Sequence, residues 1–329
     1  MIEFASILNL TICFAVPLLL VALGGMYSER SGVINIALDG IMIMGALVGC
    51  LVLKAMDASG WGDSVGKAQL GVLLAALIAG ASGIVFSLLL AFAAINLKAD
   101  QTIGGTALNI FAPAFAVVLA WAVQGQGHTD ISIPGWTRLK AEALGITGQV
   151  NVDFLATLFK KFYITIPLAV ILLAVAWFVL FRTRFGLRLR SCGEHPQAAA
   201  SVGISVYKMR YSGVMISGFL GGVGGLAYVL VLPFTGNVGG YGFLALAVMI
   251  FGNWMPGRIL FSALFFALFK VIGTSYTLLP FLPKFEGVQK VSNLYNLLPY
   301  IVTLLVLIFT SKKSRAPKAE GIPYDKGMR

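Results

Sequence analysis

Residues 7–26 read ILNLTICFAVPLLLVALGGM, running from Ile7 to Met26 without a single charge. At 1.5 Å per residue a helix of that length measures about 30 Å, the thickness of a bilayer's hydrocarbon core. Comparable apolar runs follow at Val33–Leu53, Leu70–Ala94, Ile103–Val123, Tyr163–Phe181, Ser212–Leu232, Ile259–Leu279 and Leu297–Thr310, the last starting near Asn293. One more, Phe243–Phe251, sits between Gly239-Gly240 and Gly252. It is short for a span and suits a re-entrant segment shielded by its neighbours. The reading is an all-α, polytopic integral membrane protein of about nine transmembrane helices, one of them short or re-entrant.

Composition agrees. Of 329 residues, 58% are hydrophobic and 11% charged, and mean hydropathy is +0.90. A soluble domain carries about 25% charged residues, so this chain cannot clothe a water-facing surface. The net charge of +11 falls in clusters between apolar runs, so it reads as an orientation signal and an attraction to anionic membrane lipid, with no nucleic-acid partner. Cys13, Cys50 and Cys192 follow no metal or disulfide spacing. Met1-Ile2-Glu3-Phe4 lacks the basic start of a signal peptide, so the first run is expected to remain in the mature protein.

The basic clusters set the topology. Arg182, Arg184, Arg188, Arg190, Lys208 and Arg210 stand against one acid, Glu194, and the tail adds Lys312, Lys313, Arg315, Lys318, Lys326 and Arg329. The positive-inside rule puts both stretches in the cytoplasm. With nine crossings the N-terminus is outside, the C-terminus inside, and Phe243–Phe251 counts as a crossing. This divides the chain into a transmembrane domain at 1–311 and a basic cytoplasmic tail at 312–329. The first contains an outer loop, 124–162, with Gly125, Gly127, Pro134-Gly135-Trp136 and Gly145, and an inner loop, 182–211. Within the inner loop Pro196 suits a first helical turn, Ala198–Ala200 favour helix and Gly203 suits a stop, so a short surface helix is expected there.

Little of the chain suggests covalent chemistry, and no catalytic residue is assigned. Gly80-Ala81-Ser82-Gly83 matches the Gly-x-Ser-Gly of intramembrane serine proteases, but a nucleophilic serine needs a base within reach. The histidines, His128 and His195, fall in loops on opposite sides of the membrane. Gly80, Ser82 and Gly83 read better as a helix-packing surface, as do Gly45/Gly49, Gly218/Gly222 and Gly221/Gly225. No phosphate-binding loop and no metal-ligand spacing is present in the sequence, so no metal site is expected. Inside the runs the ionisable residues are Asp39 and Lys270, which suit a polar pathway, a pair with one another, or a lysine reaching for the interface. Asn35, Thr106, Asn109 and Ser217 can line a passage for a polar solute or bond neighbouring helices, and for any single one helix bonding is the commoner role.

Several stretches together carry a resemblance. Ser28-Glu29-Arg30-Ser31-Gly32-Val33-Ile34-Asn35-Ile36-Ala37-Leu38-Asp39-Gly40 resembles the SERSGVVNIGLEG signature of ABC importer permeases for nucleosides and simple sugars, relatives of the branched-chain amino acid and ribose permeases. Gly104-Gly105-Thr106-Ala107-Leu108-Asn109 resembles the family's next motif, and Cys192-Gly193-Glu194-His195-Pro196-Gln197-Ala198-Ala199 with Val202-Gly203-Ile204 its GENPRAA…GI segment. Gly239–Trp254 with Pro256, and the tail Gly321-Ile322-Pro323-Tyr324-Asp325-Lys326-Gly327, are similar to two more. His195 stands where the family more often has asparagine and Asp39 where it often has glutamate; Lys270 belongs to none of these motifs.

The resemblance implies a bacterial inner-membrane importer. Its partners would be a second, related permease subunit, a cytoplasmic ABC ATPase that holds the ATP and magnesium, and a substrate-binding lipoprotein or periplasmic protein. The chain itself would bind no cofactor. The surface helix after Gly193 would dock into the ATPase, with Gly193, Glu194, Pro196, Ala199 and Gly203 as its coupling residues. Asn35, Asp39, Asn109 and Lys270 are the pathway candidates. A nucleoside-like solute is expected, with a simple sugar or a riboflavin-type vitamin as alternatives. Stand-alone secondary transport and a non-transporting scaffold are the competing classes.

Overall fold

Helix α9 (Val206–Val231) is the post around which the other helices pack, and its glycines explain why. In a bilayer, apolar side chains gain nothing by leaving lipid, so helices associate where small residues let backbones touch. On one side Gly222 lies against Gly45 of α2 (Leu38–Ala58), and Gly225 against the Met42 carbonyl. On another, Gly218 and Gly222 meet Gly83 and Ala79 of α3 (Val65–Ala91), which runs on through a π-helical turn, Phe92–Asn96. On a third, Gly213 and Gly224 receive Ser31 and Val21, the latter in α1 (Ile2–Arg30). The small-residue surface read at Gly80–Gly83 is therefore a helix contact, with Gly80 against the Phe219 ring.

The computed structural model describes residues 2–139, 153–274, 295, 297–310 and 315–325. Gly145 and the rest of 140–152 in the outer loop, positions 275–279 at the end of one run, the start near Asn293, and Lys312, Lys313, Lys326 and Arg329 of the tail lie outside the described residues. The remaining helices are α4 (Gln101–Gln124), α5 (Phe154–Leu158), α6 (Thr165–Arg182), α7 (Arg184–Glu194), α8 (Pro196–Ser201), α10 (Tyr241–Phe251), α11 (Pro256–Thr274) and α12 (Leu298–Thr310). Two isolated β-bridges, Ile131 to Phe234 and Leu139 to Phe162, tie the outer loop down. The protein is an all-helical, multi-pass membrane protein.

Seven helices among the described residues are long and apolar enough to cross a membrane: α1, α2, α3 with its π turn, α4, α6, α9 and α11. The expected count of about nine is thus reached only if α10 and α12 also contribute. With 11 residues, α10 rises about 16 Å, half of a hydrocarbon core. It lies beside α1 from its middle to its C-terminal end, with Tyr241 near Phe14 and Met249 against Gly25. Burial separates centre from rim: α1 and α9 are 78% buried over their most apolar stretch, whereas α4 and α6 are 17% and 22% buried and turn most of their side chains outward.

The C-terminal segment 315–325 is not a free basic tail. It folds back over the ends of α1, α7 and α9 as a strap. The Ala319 amide donates to the Gly193 carbonyl (2.8 Å), the Gly321 amide to the Gly32 carbonyl (3.3 Å), and Arg210 Nη1 to the Ile322 carbonyl (2.9 Å). The Tyr324 ring meets Tyr207 edge-on, and Asp325 pairs with Lys98 at 2.6 Å. Its Glu320 carboxyl is buried beside that of Glu29 in α1. Burial pushes the Glu320 carboxyl up to about 7, against the Arg30 charge, which lowers it. An acid raised in this way binds a proton more tightly when docked than when free. Docking is therefore most stable below about pH 4.5 and weakens as pH rises through about 7. Hydrogen exchange across 315–325 should show protection falling between about pH 5 and 8 beyond the intrinsic change in rate. Glu320→Gln should remove that excess, and an unchanged excess would refute the assignment.

Candidate functional site

Two places in this fold combine polar groups with broken secondary structure. The first is the junction between α1 and α2. Hydropathy treats Val33–Leu53 as one run, yet the chain is non-helical after the turn at Ser31-Gly32 and α2 starts only at Leu38. Buried backbone outside a helix must find partners elsewhere. Side chains from other helices provide them. The Ile34 amide donates to Gln101 Oε1 (2.7 Å), Asn109 Nδ2 donates to the Ile36 carbonyl (2.8 Å), and Asn109 Oδ1 accepts from the Gly40 amide (2.8 Å). Ser28 Oγ donates to the Val33 carbonyl (2.8 Å). Asn35, fully buried, donates to Ser217 Oγ at 2.8 Å, and its Oδ1 has no partner among the described residues.

Asp39 sits in the first turn of α2, where its Oδ1 accepts from the Gly242 amide (2.8 Å) in the first turn of α10. One carboxylate thus faces two helix N-termini, whose exposed amides and dipoles both favour a negative charge. The approach is close enough that any Cβ on Gly242 would strike the Asp39 backbone. Around this junction stand Tyr228 and Tyr241, with rings 4.8 Å apart, and Tyr300, whose hydroxyl donates to the Gly239 carbonyl at 3.4 Å. Lys270 Nζ lies 5.7 Å over the Tyr241 ring. The structure therefore gathers Asn35, Asp39 and Asn109 at one junction. Lys270 joins through an aromatic face, and the ion pairs among the described residues are Arg30–Glu194 and Lys98–Asp325.

The second place is the inner loop. The expected surface helix is α8, opened by Pro196 at its first turn and closed by Gly203 at φ +83°. Sequence reading missed α7 before it, although Phe185, Leu189 and Cys192 alternate with Arg184, Arg188 and Arg190 at helical spacing. Gly193 packs directly on the Arg30 carbonyl, where a Cβ would not fit. Glu194 faces Arg30 at 3.9 Å, and Arg30 Nη2 donates to the Trp254 carbonyl (3.2 Å), while Trp254 Nε1 donates to Glu29 Oε2 (2.5 Å). Pro196 and Ala199 are buried against the loop; Gly203 has open space around it. The pair α7–α8 is therefore fastened to the end of α1, to the turn before α11 and to the strap.

Residues 7–309 match the model for the permease component of branched-chain amino acid transport systems. The chain belongs to this permease family. It is a membrane component of a transport system and not a catalytic enzyme. It is 43% identical over 324 residues to a guanosine ABC transporter permease protein of Bacillus subtilis, NupQ, covering 97% of this chain and 96% of that one. It is 38% identical to a nucleoside ABC transporter permease protein of Lactococcus lactis, NupC, covering 95% and 94%. A putative glucose ABC transporter permease protein of Haloferax volcanii is 31% identical, over 93% and 91%. No solved structure matches this chain. Permeases of this kind work with a separate ABC ATPase and a substrate-binding protein.

Proposed function

We propose that this permease carries a nucleoside, with guanosine the first to test, into the cytoplasm of a bacterium. The observation that carries the reading is its near-full-length similarity to guanosine and nucleoside permeases at 43% and 38% identity, above the 31% of the glucose relative. A simple sugar and a riboflavin-type vitamin stand behind it, and the family assignment disfavours a stand-alone secondary transporter or a scaffold. The chain crosses nine times in this reading, with α10 and the irregular residues 232–240 forming one crossing and the C-terminus inside. A second, related permease completes the pathway.

In this reading α8 docks on the ATPase, where ATP and magnesium bind; of its coupling residues Glu194 and Gly203 reach the surface, while the buried Gly193, Pro196 and Ala199 hold the helix in place. The fastening of α7–α8 to α1 and the strap would pass a rigid displacement to the α1–α2 junction. Asp39 and Lys270 border the solute pathway there, while Asn109 holds the broken backbone in place and Asn35 ties it to Ser217 of α9. ATP binding in the partner shifts the balance between inward- and outward-facing states. The test is uptake of labelled guanosine into proteoliposomes carrying the co-purified complex. ATP-dependent, saturable uptake competed by other nucleosides is expected. Uptake competed by glucose or riboflavin but not by nucleosides would overturn the solute, and uptake by the chain alone without an ATPase would overturn the importer.

A further inference from the structure

A cavity of about 540 Å³ opens beside α7, lined by Arg30, Arg190, Arg258, Arg315 and Lys318 against a single carboxylate, Glu194. The site shares no residue with the groove along α8, which is lined by Gln197, Gly203 and Tyr324 on the other side of the strap. Its cations are under-used. Arg30 and Glu194 meet only at 3.9 Å, and the buried Nε atoms of Arg30 and Arg190 have no hydrogen-bond partner among the described residues. The Arg190 guanidinium stacks 4.8 Å over the Phe181 ring, which keeps it in place without neutralising it. Clustering this much like charge is unfavourable unless an anion completes it.

Depth identifies the anion. Phe181 is the penultimate residue of the span α6, and Arg258 is the third of the span α11, so the cavity lies at one edge of the hydrocarbon core, where phospholipid headgroups sit. One turn deeper on each wall the surface is apolar and exposed: Phe178 is 56% and Phe261 73% accessible. Met255 at the rim is half-exposed. A ligand that fits carries a phosphate at one end and hydrocarbon at the other. We propose that this cavity holds the headgroup of an anionic glycerophospholipid, its phosphodiester among the arginines and its acyl chains along Phe178 and Phe261. Because Arg315 and Lys318 belong to the strap, the bound lipid also anchors the start of the strap beside α7. The proposal is independent of which solute is carried.

The test is native mass spectrometry of the purified, delipidated full chain titrated with phosphatidylglycerol or phosphatidylcholine at fixed ionic strength. Phosphatidylglycerol should bind at least about tenfold more tightly, as several basic groups at a membrane edge favour an anionic headgroup. Arg258→Gln with Lys318→Gln, both exposed and so compatible with folding, should cost about thirtyfold of that affinity. The distant exposed pair Lys67→Gln with Lys160→Gln should cost none. Arg190→Gln, monodisperse by size exclusion, should weaken binding as well. Equal binding of the two lipids, full retention in the Arg258/Lys318 variant, or an equal loss in the Lys67/Lys160 variant would overturn the proposal. Displacement of phosphatidylglycerol by millimolar inorganic phosphate alone would assign the cavity to a free anion and overturn it too.

Discussion

Gly222→Leu is expected to leave no folded permease, although the change adds only apolar atoms to an apolar helix. The Gly222 Cα faces the Ala79 carbonyl and Gly80 on α3, and on its other side receives Gly45 of α2. A side chain there must push the α3 backbone away, Gly45 closes off retreat on the other side, and backbone cannot yield as a flexible side chain can. Even Gly222→Ala should cost about 3 kcal/mol, at the upper end of overpacking penalties. Gly221→Ala, one residue away, meets only the Ile41 side chain and should be milder, and Gly66→Ala meets nothing and should stay within about 0.5 kcal/mol. Yield of monodisperse protein and its thermal midpoint in detergent would rank the four. A stable, monodisperse Gly222→Leu protein would remove α9 from the centre of the fold.

The second large effect belongs to the α7–α8 unit. Glu194→Arg combined with Gly203→Leu should reduce solute uptake by at least about a hundredfold while membrane insertion stays normal, the size expected when a rigid-body relay loses its contact. Reversing Glu194 places a sixth cation beside Arg30, Arg190 and Arg258 and removes the acid that faces Arg30. Leucine at Gly203 has room but must adopt φ +83°, which costs about 1–2 kcal/mol for a residue with a Cβ. Neither change touches the membrane core, so a defect should appear in uptake and in co-purification of the ATPase, not in protein level. Normal uptake by the double variant would remove the coupling assignment.

How much of this was legible beforehand follows from what each signal is made of. Hydropathy is a property of neighbouring residues, so the spans, the basic inner loop and the short run Phe243–Phe251 could be read directly. Pro196 and Gly203 act on their own backbone, and they marked α8 to within a residue or two. Small residues at Gly45/Gly49, at Gly80, Ser82 and Gly83, and at Gly218/Gly222 and Gly221/Gly225 announced that α2, α3 and α9 pack closely, though not against which partner. A window average cannot separate a helix from an irregular apolar segment, so the break before Leu38 was invisible inside Val33–Leu53.

Local pattern in the sequence by itself determined the class of protein, its main spans, its family and its surface helix, because each is written in residues close together along the chain. Tertiary structure alone decided which polar side chains hold the broken backbone, because Gln101 and Asn109 stand 67 and 73 residues from the groups they satisfy, Ile34 and Ile36. It also joined Asp39 to Gly242 across 203 residues, turned the basic tail into a strap over Gly193, and drew five cations from four separate segments into one cavity. Such partnerships depend on how helices cross, and helix crossings are settled by packing in three dimensions.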